Sequence, residues 1–135
     1  MRIMGLDLGE KTIGVAMSDP LAITAQALLV IKRSKMEKEE LNRLIADYEV
    51  EEIVLGYPRN MNGTLGERAR LTEKFANDLQ NRFSLPIRLW DERLSTVGAT
   101  RALLEADLSR AKRKKIIDKM AAVFILQGYL DSRRI

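Results

Sequence analysis

Between residues 3 and 9 the side chains alternate: Met4, Leu6 and Leu8 point one way, Ile3, Gly5, Asp7 and Gly9 the other. That is the period of a β-strand. Thr12–Ser18 is a second β-rich run, and the intervening Glu10-Lys11 suggests a tight hairpin; residues 25–33, rich in Leu, Val and Ile, make a third strand. A meander of three antiparallel strands therefore opens the chain. The pattern then turns helical over residues 34–48, with Leu41, Leu44, Ile45 and Tyr48 as the apolar stripe. Ser34 is placed as N-cap, with Glu37 three residues on. Residues 52–57 form a short buried strand and 58–66 a polar loop. Glu67–Phe83 forms a helix with Leu71, Phe75 and Leu79 on one face, and 86–92 the fifth strand. Residues 96–106 are expected to be helical, 109–115 a basic segment, and 116–132 the last helix.

Strands four and five each follow a helix, and crossover connections of that kind run parallel to the first strand. The expectation is one α/β domain over residues 1–135, a mixed five-stranded sheet with helices on its faces.

Composition narrows the chemistry. The chain of 135 residues is 46% hydrophobic and 31% charged, ordinary for a globular protein, but it has neither Cys nor His. Disulfides, thiol nucleophiles, imidazole bases and the usual zinc sites are excluded. Acid–base or metal chemistry must rest on carboxylates, Lys, Tyr or water, and a bound metal would be a hard cation such as Mg²⁺ or Mn²⁺. The net charge of +4 favours a polyanionic partner mildly. No apolar run approaches the roughly 18 residues of a membrane span, and the start lacks a signal-peptide pattern, so the expectation is a cytoplasmic protein with no membrane partner.

Three acidic positions stand out. Asp7 lies inside an apolar strand, where an unpaired carboxylate is costly. Gly5 and Gly9 flank it on the same face, as if the space beside it were cleared for a ligand; the alternative is a buried Asp paired with a cation. Asp118 heads a helical face continued by Ala121, Ala122 and Ile125. It could instead be a first-turn acid stabilised by the helix dipole. Asp91 and Glu92 close the fifth strand, and ligands of open α/β sheets bind beyond the carboxyl ends of strands; a solvated pair with Arg93 is the alternative. Arg110-Ala111-Lys112-Arg113-Lys114-Lys115 puts five cations in six residues, a run suited to phosphates without sequence readout. Gly5 to Thr12 only superficially resembles a phosphate-binding loop, since its spacing departs from the Walker pattern.

Four stretches, in order and spanning almost the whole chain, resemble the YqgF (RuvX) family. They are GLDLGEKTIGVA from Gly5, GYPRNMNGTLGERA from Gly56, WDERLST from Trp90 and IDKMAAVFILQGYL from Ile117. Members of that family are regarded as Holliday-junction resolvases or, more recently, as pre-16S rRNA nucleases. The resemblance implies a ribonuclease-H-like fold, similar to RuvC, with Asp7, Glu92 and Asp118 as an acidic triad; the choice of Glu92 over Asp91 rests on it alone. It further implies two-metal phosphodiester hydrolysis, with Mg²⁺ or Mn²⁺ ions roughly 3.5–4 Å apart. Lys11, Arg59, Arg93, Lys112, Arg113 and Lys114 would contact phosphates. Thr12 stands where the family commonly has Arg, which leaves a phosphate contact at that position in doubt.

The implied partner is nucleic acid, either pre-rRNA or branched DNA, bound by a monomer or a weak homodimer. Trimming the 5′ end of pre-16S rRNA is favoured over junction cutting. Paired cuts need a symmetric dimer, and nothing in the sequence announces a dimer surface. An actin-like or sugar-kinase ATPase would need a second domain, for which this length leaves no room. A non-catalytic nucleic-acid-binding module is the remaining alternative, opposed by the presence of all three acids.

Overall fold

The computed structural model describes residues 1–58, 66–91 and 110–133, with the side chains of 110–119 outside the description. Five strands, β1 (Arg2–Leu8), β2 (Thr12–Ser18), β3 (Ala25–Lys32), β4 (Val50–Tyr57) and β5 (Ile87–Asp91), form one sheet in the order β3-β2-β1-β4-β5. β1 pairs antiparallel with β2 and β2 with β3, whereas β4 is parallel to both β1 and β5. The mixed sheet expected from the pattern is the one observed. β1 lies at its centre, which explains the continuous burial of Ile3 to Leu6.

Alternation along the strands splits the core into two layers. Met4, Leu6, Val15, Ile53 and Leu55 face α1 (Glu37–Asp47) and α2 (Glu67–Phe83) and pack on Leu41, Phe75 and Leu79. Ile3, Ala16 and Val54 face α3 (Arg110–Ser132) and pack on Ala122, Ile125, Leu126 and Leu130.

Several boundaries differ from the expectation. α1 starts at Glu37 rather than residue 34. Ser34 organises the turn before it: its Oγ accepts from the Met36 N–H at 3.1 Å, and its own N–H donates to Glu37 Oε1 at 3.1 Å. Only the Glu37 half of a capping box forms, because the Ser34 hydroxyl meets the Met36 N–H rather than that of Glu37, and the helix begins after this turn. β4 extends back to Val50, which is buried. On α2, Leu71 is 55% exposed, and Ala69, Thr72, Phe75, Ala76 and Leu79 make the buried stripe. The basic residues 110–115 are not a separate segment, because α3 is continuous from Arg110. The loop at 59–65 and the helix expected at 96–106 lie outside the described residues.

Candidate active site

Asp7 is the penultimate residue of β1 and is opposite Gly14 of β2. It shares a face with Ile3 and Gly5, the face covered by α3. The registers Leu6↔Leu55 and Leu55↔Leu89 put it level with Gly56 and Trp90, at the carboxyl edge of the two parallel neighbours.

The glycines flanking Asp7 do not clear space for a ligand. A Cβ on Gly5 would lie 2.7 Å from Leu126 Cβ and 3.2 Å from the Ala122 carbonyl oxygen; Gly5 lets α3 seat directly on β1. A Cβ on Gly9 would lie 3.0 Å from the Thr12 carbonyl oxygen, to which the Gly9 N–H donates at 2.9 Å. Gly9 closes the hairpin. Both glycines bring backbone close to backbone or helix, which is the other reason a strand carries glycine.

Position 118 lies one helical turn before Ala122, the residue over Gly5. It is the ninth residue of α3, not a first-turn residue, so the helix dipole, which acts within the terminal turn, does not account for an acid there. Its side chain, like Glu92, Arg59 and Arg93, is outside the described residues. Asp91 belongs to the other face. Trp90 packs with the α3 layer and Ile87 with the α1–α2 layer, and alternation puts Asp91 with Ile87, away from Asp7.

Two arginines that the sequence pattern did not single out for the site hold the backbone after Asp7. Arg68 Nη2 donates to the Leu8 carbonyl at 3.2 Å, and Arg33 Nη1 to the Gly9 carbonyl at 2.8 Å. Arg33 is itself fixed by Glu37 at 3.1 Å and lies over the Phe75 ring, 5.5 Å from its centroid. Arg68 falls inside the stretch from Gly56 that carries the family resemblance, the one hint of its role in the sequence. Arg33, just beyond the end of β3, has no such signal. Lys11 is exposed at the hairpin tip, and Lys112, Arg113 and Lys114 lie in the first turns of α3.

Among the described residues no three carboxylate, thiol or imidazole side chains gather as a metal-binding group. Asp7 contributes a carboxylate, and with no Cys or His in the chain neither thiolate nor imidazole can ligate here. That donor chemistry fits a hard divalent cation.

A family model described as "RuvX: Holliday junction resolvase" matches residues 1–132. The chain belongs to the RuvX family. A relative from Desulfitobacterium hafniense, named "Putative pre-16S rRNA nuclease", is 69% identical over 97% of this chain and 92% of its own. One of the same name from Clostridium kluyveri is 61% identical over 97% of both chains. Among solved structures, Thermus thermophilus RuvC in complex with a Holliday junction substrate superposes with a TM-score of 0.56 at 16% identity, covering 98% of this chain and 95% of RuvC. Fowlpox virus resolvase with its junction DNA gives 0.54 at 13% identity, covering all of both chains. These likenesses show that this RuvX chain has the ribonuclease-H-like fold of RuvC.

No helix among the described residues of this RuvX chain is long and apolar enough to cross a membrane.

Proposed function

We propose that this RuvX chain, acting as a single cytoplasmic domain over residues 1–135, is a divalent-metal-dependent endonuclease. It hydrolyses phosphodiester bonds in nucleic acid, with the 5′ end of pre-16S rRNA as its substrate. The observation that carries the reading is the seating of α3 on Gly5. It supports the reading because α3, which carries position 118 one turn before Ala122, covers the face of β1 that bears Asp7.

In this reading Asp7, Glu92 and Asp118 hold Mg²⁺ or Mn²⁺, which when bound makes water a stronger nucleophile and offsets charge on the leaving oxygen. The chain's own contribution is positional and electrostatic. Arg33 and Arg68 fix the carbonyls of Gly9 and Leu8 and so the end of the strand that presents Asp7. Lys11, Arg59, Arg93, Lys112, Arg113 and Lys114 neutralise phosphates flanking the scissile bond.

The RNA substrate is favoured by the names of the relatives at 69% and 61% identity. Junction cleavage is the second reading, favoured by the description of the family model. Purified protein offered a pre-rRNA leader and a four-way DNA junction side by side, with Mg²⁺, Mn²⁺ or EDTA, separates them. Metal-dependent cleavage confined to the leader is expected. Cleavage of the junction alone would transfer the assignment to the second reading, and cleavage of neither would remove both.

A further inference from the structure

The strand at one edge of the sheet is unusual for an edge left in water. β3 reads Ala25-Gln26-Ala27-Leu28-Leu29-Val30-Ile31-Lys32, with its only charge at the end and no Pro. It pairs with β2 on one side, and among the described residues no strand pairs with the other. Natural edges are blunted by charges, Pro or bulges, because an open row of N–H and C=O groups templates another strand. Here the register shift opposite Val15 and Ala16 disturbs the ladder only near Leu28 and leaves Leu29 to Lys32 in regular pairing. Leu29 and Val30, on opposite faces, are 42% and 45% exposed. A further strand would cover both at once.

We propose that the occupant is a second copy of this chain, joined β3 to β3 in antiparallel register about a two-fold axis at Val30, so that Val30 stands opposite its own copy. Two observations select it over a foreign strand. An antiparallel pair of identical strands is self-complementary, as a two-fold interface requires. The groove of about 260 Å³ along this edge is lined by Leu29, Ile31 and Leu44 together with Glu40 and Arg43 of α1. An acid and a base three residues apart on one helix face allow each copy's Glu40 to meet its partner's Arg43 across the axis.

The axis runs through the sheet, so both copies of α3 lie on the same face of a continuous ten-stranded sheet. The two copies of Asp7 would then open on the same side, five inter-strand steps of about 4.8 Å, or about 24 Å, apart across the sheet. The pairing does not depend on the activity proposed above.

The chain has no cysteine, so single introduced thiols report on the interface cleanly. Sedimentation of the full chain over a concentration series should show a monomer–dimer equilibrium, lost in Val30→Lys with the far-UV spectrum and melting temperature retained. Under mild oxidation Val30→Cys should form a disulfide-linked dimer, and Leu71→Cys, exposed on α2, should not. A protein monomeric at every concentration, or equal cross-linking of the two thiols, would overturn the proposal. If Val30→Lys does not fold, the cross-linking pair decides alone.

Discussion

Gly5 of β1 and Leu126 of α3 meet so closely that one added methyl group would stand 2.7 Å from the Leu126 Cβ. The contact sets how deep the last helix sits on the central strand, two residues from Asp7 and two turns from position 118.

Gly5→Ala should therefore be destabilising, by about 1–3 kcal/mol as for other overpacked sites, measured by chemical denaturation. Under the proposed function it should also lower turnover at saturating substrate, because the helix is pushed from the strand. Leu126→Gly, which removes the Cβ that the new methyl group would meet, should make the double change cost less than the sum of the two single changes. Strict additivity would show that the two residues do not touch.

Asp7→Asn should abolish cleavage while leaving nucleic-acid binding intact or stronger. The amide keeps the shape but loses the charge that would hold a metal and repel phosphate. Binding measured by fluorescence anisotropy beside the cleavage assay checks both halves. Retained turnover would remove Asp7 from the reaction.

Replacing Lys112, Arg113 and Lys114 with Ala should weaken binding at all sequences alike. The slope of log affinity against log salt should become shallower by about one unit for each phosphate no longer neutralised. A slope identical to the parent would mean that phosphates are held elsewhere, at Lys11, Arg59 and Arg93.

Asp19 carries a pH prediction. Its carboxylate accepts from the N–H groups of Thr24, Ile23 and Leu21 at 2.8, 2.7 and 3.2 Å. These bonds, with that of Thr24 foremost, hold its pKa below the ordinary carboxylate value. A lowered folded-state pKa contributes stability that is present above the unfolded value, about 3.9, and lost as pH falls through the folded value. Asp19→Asn should lower the melting temperature at pH 7, and the gap from the parent should close below about pH 4. A gap that persists in acid would assign the effect to something other than charge.

The sequence by itself determined the sheet. Alternation over Met4 to Leu8, the Glu10-Lys11 hairpin, the helical period of Glu67–Phe83 and the crossovers fixed strand directions, because each is a local pattern read over a few residues. It also confined any metal to oxygen-rich ligands, since Cys and His are absent. What it left open were relations between distant segments. Asp118 reads as an acid in a first turn until the helix is seen to start at Arg110, because a basic run has no period of its own to mark it as helical. Gly5 reads as ligand space until α3 is laid over it. Asp91 and Glu92 are adjacent in the chain, but only the packing of Trp90 against α3 shows that Asp91 faces away from Asp7. Arg33 and Arg68, 35 residues apart by their numbers, converge on the carbonyls after Asp7. Such convergence depends on the register and depth at which whole elements dock. Those are set by side-chain packing across the core, and no window of sequence contains them.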